Sequence, residues 1–326
     1  MKAWPRRTAL AALAGSSVPS ALAQGQEPWP SGPIRVVVPF APGGSTDAVA
    51  RLAAPGLQQT LGVPIVVENR SGAAGSLGTD AVAKARPDGQ TWLLTFDSHA
   101  VLPALMPQLP FDLRRDLAPV TLIGGAPYVV ACKPDKPYRT MADVVSAAKA
   151  RPNGVSFAST GNGTLGHLAM VLLGNRAGVR LQHLAYRGGG LAVNDAVAGH
   201  VDMMIGSAAL LAPQVAAGTL RPLLQLGAER LPALAQVPTA EEGGFPGLQA
   251  EAWWGVFAPA RTPAPVVARF HEALGAAFRE ERVARQITEA QQARLVLAGA
   301  DELGRFLDRE VETWGKVVRE NGIQAD

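Results

Sequence analysis

Cysteine is almost missing from this chain: its 326 residues contain one, Cys132. No intramolecular disulfide can form, so stability has to come from burial of apolar surface. Cys132 ends the run Tyr128-Val129-Val130-Ala131-Cys132, which reads as a buried strand, and its thiol is expected to act as a small hydrophobe rather than a nucleophile. Histidine is sparse as well. His99, His167, His183, His200 and His271 never stand three or four residues apart, so no metal site is expected. There is no Gly-x-Ser-x-Gly elbow, no His-Glu-x-x-His run and no recognisable Cys/His pair, and no catalytic residue is assigned. The acidic pair Glu241-Glu242 lies beside Gly243-Gly244 and reads as a solvated loop. Charged residues make up 17% of the chain against 48% hydrophobic. That balance suits a packed globular protein long enough for two lobes, and argues against a disordered one.

The excess of positive charge is concentrated at the start. Lys2, Arg6 and Arg7 precede an uncharged Ala- and Leu-rich stretch, Thr8 to Val18, and Ala21-Leu22-Ala23 then supplies a small-x-small cleavage pattern. Residues 1–23 read as a secretory signal peptide cut before Gln24, too short in its apolar part to span a bilayer as a mature helix. Arg6-Arg7 leaves the general and twin-arginine export routes both open. Subtracting those three cations from the 30 in the chain leaves 27 basic residues against 27 acidic. The mature chain therefore has no global basic field, and neither nucleic acid nor an anionic membrane is expected as a partner.

What is present is an alternation of apolar runs and helical patterns. Ile34 to Pro39, Ile65 to Glu68 and Thr91 to Phe96 read as strands, separated by helical stretches from Ala48 and from Gly75 to Ala85, a βαβαβ order that implies a parallel sheet covered on both faces. Pro55-Gly56 falls inside the first of these helices, where a kink or early stop is expected. Strand-like material from Pro119 to Lys133 is interrupted by Gly124-Gly125. A second βα set follows: helices at Thr140–Arg151, Leu165–Arg176, Leu191–Ala198 and Leu210–Ala217, with strands at Val155–Ser159, Leu181–Tyr186, Val201–Ile205 and Leu220–Leu226. Amphipathic helices at Val266–Arg279, Glu281–Ala290 and Leu303–Glu320 close the chain. The expected architecture is two α/β lobes, residues 27–124 with 252–326 and residues 125–251, each an open, mainly parallel sheet flanked by helices, with a ligand cleft off the strand ends.

Two strand-to-helix turns carry the chemistry. Phe40-Ala41-Pro42-Gly43-Gly44-Ser45-Thr46-Asp47 joins the first strand to its helix. Gly43 and Gly44 let the backbone turn sharply, and the helix N-terminus adds unpaired N–H donors and a partial positive charge, which together make an anion cradle without Lys or Arg. Asp47 would repel a carboxylate and is expected to cap the helix or fix the loop. The second turn is Ser159-Thr160-Gly161-Asn162-Gly163-Thr164, with hydroxyls from Ser159, Thr160 and Thr164 and open amides at Gly161 and Gly163. His167 falls in the first helical turn after it, as a hydrogen-bonding residue rather than a base. Ser98, Tyr186 and Ser207 stand at strand ends, where open sheets place ligand contacts, whereas Asp202 opens its strand and Trp253 and Trp254 belong to the packing of a hinge. Gly161-x-Gly163-x-x-Gly166 also has the spacing of a dinucleotide fingerprint. No acidic residue follows about 20 positions on, although Arg187 would suit a 2′-phosphate.

From Pro39-Phe40-Ala41-Pro42-Gly43-Gly44-Ser45-Thr46-Asp47 onward the chain resembles the Bug receptors, the extracytoplasmic solute-binding components of tripartite tricarboxylate transporters. The likeness continues through Val67-Glu68-Asn69-Arg70-Ser71-Gly72-Ala73-Ala74-Gly75, Ala85-Arg86-Pro87-Asp88-Gly89, Leu109-Pro110-Phe111-Asp112 and Asp116-Leu117-Ala118-Pro119-Val120. Ser159-Thr160-Gly161-Asn162-Gly163 with His167-Leu168-Ala169, Tyr186-Arg187-Gly188, Gly218-Thr219-Leu220-Arg221, Val237-Pro238-Thr239 and Trp254-Gly255-Val256-Phe257-Ala258-Pro259 complete it, in order. Ser71 stands where the family usually has proline and Gln90 where an aromatic is common. The resemblance implies a periplasmic, two-lobed, type II-like binding protein, a monomer without cofactor, whose two loops clamp a dicarboxylate, tricarboxylate or acidic amino acid for a membrane permease. A sensor passing its bound state to a membrane kinase would carry the same motifs, as would an exported enzyme or NADP-binding protein on the same scaffold.

Overall fold

The computed structural model describes Met1 and residues 29–324; apart from Met1, the leader assigned to residues 1–23 lies outside the described residues. The first half opens with β1 (Ile34–Val38), α1 (Ser45–Leu61), β2 (Ile65–Asn69), α2 (Ser76–Ala83), β3 (Thr91–Phe96) and α3 (Ser98–Leu105). The strands pair in parallel as β2-β1-β3. Most of their residues are β-branched, leucine or aromatic, and those of β3 are buried on both faces, as a sheet sandwiched by helices requires. A 16-residue strand, β4 (Leu117–Cys132), then leads out of this half.

The second half runs α4 (Met141–Ala150), β5 (Ser156–Ser159), α5 (Leu165–Ala177), β6 (Gln182–Ala185), α6 (Gly189–Ala198), β7 (Met203–Ser207), α7 (Ala208–Ala216) and β8 (Arg221–Gln225). Here β6-β5-β7 are parallel. The chain returns through β9 (Glu251–Pro259) and ends in α8 (Ala264–Arg279), α9 (Glu281–Arg285), β10 (Arg294–Ala298) and α10 (Ala300–Glu320).

β4 joins the halves. Leu117 to Pro127 pairs antiparallel with β9, which itself pairs with β3, and Tyr128 to Ala131 pairs antiparallel with β7. One curled sheet, β2-β1-β3-β9-β4-β7-β5-β6, thus runs through both halves. Gly124 and Gly125 do not break β4, as expected from sequence, but sit at the tightest approaches in it. A Cβ on Gly124 would stand 2.0 Å from the Arg294 carbonyl oxygen, and one on Gly125 would stand 2.4 Å from that of Ala252. The glycines let β9 and β10 crowd the strand where it changes partners.

Pro55 does not stop α1 either, which continues to Leu61. The proline is exposed, so water satisfies the carbonyl it leaves unpaired, while the neighbouring Gly56 packs its bare Cα against Ala277 of α8, where a Cβ would lie 2.8 Å away. α3 and β10 escape the sequence pattern. α3 is short, contains Pro103 and has no polar stripe to give it a helical period. α10 is the opposite case: Leu303, Leu307, Trp314 and Val318 make one buried stripe, and most of the other positions are charged or polar.

Candidate ligand site

The turn after β1 is built by Asp47. Its Oδ2 accepts the Gly43 N–H (3.1 Å), its two oxygens take Arg51 Nε (3.0 Å each), and Oδ1 takes Asn69 Nδ2 (3.0 Å). Burial pushes this carboxyl up, but the bonds from Arg51, Gly43 and Asn69 outweigh it and hold the group below the usual range. Asn69 also donates to the Phe40 carbonyl (3.1 Å), tying the loop to the end of β2. Asp47 is therefore a brace behind the loop. The Gly43 amide, expected to be open to a ligand, is already engaged.

The turn after β5 is braced in the same way. Gly163 N–H donates to His167 Nδ1 (3.0 Å), Gly161 N–H to Ser159 Oγ (3.3 Å), and Thr164 Oγ1 donates to the Gly161 carbonyl (2.8 Å). The His167 ring stacks on His183 (3.8 Å between centroids), whose Nε2 pairs with Ser159 Oγ (2.7 Å). Burial lowers the His183 pKa to about 4, so that ring is neutral at ordinary pH. The glycine amides thus shape the loops, and the donors left for a ligand lie one or two residues further into each helix.

Those helix starts converge. A recess of about 30 Å³ is lined by Gly44, Ser45 and Thr46 at the start of α1, Thr160 and Thr164 at the start of α5, Gly188 and Gly189 at the start of α6, and Ser207, the N-cap of α7. None of these four caps has a side-chain hydrogen bond to its own helix. The Ser207 hydroxyl is buried and has no hydrogen-bond partner among the described residues. Phe96, Tyr128 and Leu210 form the rest of the wall. A water needs about 10–15 Å³ of such space, so the recess takes about two water-sized groups, the size of a carboxylate's oxygen pair. No ionised acid lines it. Tyr128 donates its hydroxyl to Asp97 Oδ2 (2.7 Å), and burial drives the Asp97 carboxyl well above its usual range, toward its neutral form.

The recess opens past Phe40, Ala41, Thr160, Thr164 and Gly188 into a cavity of about 550 Å³ between the halves. Its far wall is the Ser71–Gly75 turn, where Ala73 and Ala74 hold φ of 46° and 53°, left-handed values uncommon for alanine. Met106, Tyr186 and Arg187 complete it. The halves touch at its edge. A Cβ on Gly188 would lie 3.3 Å from that of Ala41, and a Cβ on Gly163 would lie 2.2 Å from a methyl of Leu105.

Of the residues named from sequence, Phe40, Ala41, Gly44, Ser45, Thr46, Thr160, Gly161, Thr164, Tyr186 and Ser207 line these two spaces. Gly43, Asp47, Ser159, Gly163 and His167 stand behind them as braces. Ser98 is off the site: it is fully buried at the first residue of α3, because β3 runs directly into that helix rather than into a loop. The α6 start and the Ser71–Gly75 turn went unassigned, although Tyr186-Arg187-Gly188 and Ser71-Gly72-Ala73-Ala74-Gly75 were both visible as glycine-rich segments after strands. The fingerprint glycines do not cradle a pyrophosphate. Their amides serve Ser159 and His167, and the Gly166 Cα packs on the Tyr128 ring. Among the described residues no group of three His, Cys, Asp or Glu is placed to hold a metal, and no helix is long and apolar enough to cross a membrane.

Two α/β halves on shared strands, closing around helix N-termini in an inter-lobe cavity, define a solute-binding protein. The chain matches the profile of the tripartite tricarboxylate transporter family receptors over residues 49–323 and belongs to that family of periplasmic solute-binding receptors, which are not enzymes. It is 37% identical to BugT of Bordetella pertussis over 298 residues, 91% of each chain. Among solved structures it is similar to MatC of Rhodopseudomonas palustris with bound malate (32% identity, TM-score 0.84, covering 89% of this chain and 100% of that one). A second, Rpa4515 of R. palustris with adipate, has 30% identity and a TM-score of 0.86, covering 91% and 99%.

Proposed function

We propose that this chain is exported by its N-terminal leader and, in the periplasm, captures a small carboxylate for a tripartite tricarboxylate transporter permease. The two lobes are residues 27–124 with 252–326 and residues 125–251, hinged where β4 changes partners and β9 returns. The observation that carries the reading is the convergence of four uncapped helix N-termini on one inter-lobe recess. Each contributes unpaired N–H groups and about half a positive charge, so an anion is held without a fixed cation. The family and the malate- and adipate-bound relatives support the same class of ligand. With no acid or base lining the recess to activate its hydroxyls, binding is uniform and leads to closure rather than to reaction.

The test is a thermal-shift panel of mono-, di- and tricarboxylates on the purified mature protein. A ligand at one hundred times its dissociation constant stabilises the folded state by about 2.7 kcal/mol. A panel that produces no shift with any carboxylate, on protein freed of carried-over ligand by unfolding and refolding, rejects the reading. Delivery is tested in vesicles carrying the permease, where uptake of the bound acid should require this chain.

A further inference from the structure

Resting on the carboxylate-receptor reading above, we infer that the cavity is built for a dicarboxylate whose two charges are separated by an apolar spacer, with Arg187 taking the second carboxylate. One carboxylate occupies the recess of helix N-termini. Beyond it the chamber of about 550 Å³ is walled by rings and methyl groups: Phe40 and Tyr186, Met106, Ala41, Ala73 and Ala74. Phe40 is fixed edge-on to Phe96 (6.2 Å between centroids), and Phe96 packs on Trp254 (6.1 Å).

Three of the polar side chains in this wall are engaged elsewhere, which leaves the Ser71 and Thr160 hydroxyls beside Arg187. The Tyr186 hydroxyl donates to Asp195 Oδ2 (2.6 Å), Asn162 donates to the Gln324 carbonyl (2.9 Å), and Thr164 donates to Gly161. Tyr186 therefore presents its ring rather than its hydroxyl. A hydroxylated or heavily charged ligand body would lose water here and find few replacements.

The cavity has one charged lining residue, Arg187, and no acidic one. Arg187 is exposed, and among the described residues no hydrogen bond or ion pair engages its guanidinium. A guanidinium fork matches a carboxylate, so it supplies the far contact. An ammonium in the chamber would find no carboxylate, since Asp47 is sealed behind its loop by Arg51, Gly43 and Asn69. That disfavours acidic amino acids within the general class of ligand.

Two matched comparisons by isothermal titration test the inference on the full mature chain. Glutarate and glutamate differ by one ammonium group; glutarate should bind at least about tenfold more tightly. Adipate and hexanoate differ by the second carboxylate. Adipate should be preferred, and Arg187→Gln should cut that preference about three- to tenfold, the range for a partly exposed ion pair. Melting of the free variant checks that it remains folded, and Arg187→Lys, which keeps the charge, should recover part of the preference. Glutamate binding as well as glutarate, or an adipate preference indifferent to Arg187→Gln, overturns this inference while leaving the carboxylate receptor standing. Failure of every acid, these four included, rejects the receptor reading itself.

Discussion

Replacing Ser207 by alanine should move free and liganded stability in opposite directions. The Ser207 side chain is 2% exposed, its Oγ has no hydrogen-bond partner among the described residues, and it does not cap α7. The usual loss of about 1 kcal/mol for removing an N-cap serine therefore does not arise. In the free protein the substitution deletes a buried, unsatisfied hydroxyl, which is neutral or stabilising by about 1 kcal/mol. In the complex the hydroxyl faces the carboxylate, and a hydrogen bond to a charged group contributes about 1.5–3 kcal/mol. Affinity should fall about 10- to 150-fold. At a ligand concentration of one hundred times the wild-type dissociation constant, a tenfold loss reduces the ligand-induced stabilisation from about 2.7 to about 1.4 kcal/mol. Calorimetric titration gives the affinity, and melting with and without ligand gives the two stabilities. A variant that melts lower when free but binds as well as the wild type would refute the argument, because the hydroxyl would then be structural.

Gly124→Ala should destabilise the fold by about 2 kcal/mol or more, seen as a lower urea midpoint, since its Cβ would meet a backbone oxygen that cannot swing aside and its φ of 155° is poor for an L-residue. Trp92→Ala should cost about 3–5 kcal/mol in the same assay: Trp92 is fully buried and stacked on Phe270 (3.8 Å between centroids). Gly163→Ala should weaken ligand binding as well as stability, because its Cβ would push Leu105 away across the cleft. Acid sensitivity should be partly traceable to His183. Its folded pKa is lowered to about 4, whereas an unfolded imidazole titrates near 6.5, so the unfolded chain binds the extra proton and stability falls as pH drops through that window. Asp97, with a raised pKa, acts in the opposite sense, so the comparison is with His183→Gln. The variant should lose about 1 kcal/mol less than the wild type between pH 7 and pH 5 after allowance for the partial exposure of the ring; equal losses would remove His183 from the account.

Much of this molecule was legible in the order of its residues. Continuous apolar runs and helical patterns located most of the strands and helices, and the run of β1 pointed to a parallel sheet buried on both faces. The turns at residues 40–47 and 159–164 stood out because glycine, serine and threonine at a strand-to-helix junction have a local physical meaning. Local signals missed what depends on neighbours. Pro55 predicts a break only if its solvent-facing position is unknown, and Gly124-Gly125 looks like an interruption until β9 and β10 are laid against it. Ser98, at the end of its strand, has the position of a ligand contact, because α3 has no polar face to reveal the helix that buries it.

The division has one physical cause. Propensity, capping and periodicity act within a few residues, so the sequence by itself determined the elements, their parallel order and the two braced turns. That four helix starts from both halves face one recess, and that Arg187 stands beside an apolar chamber, depend on contacts between residues far apart in the chain. Those contacts exist only once β4 and β9 have brought the halves together, and tertiary structure alone decided them.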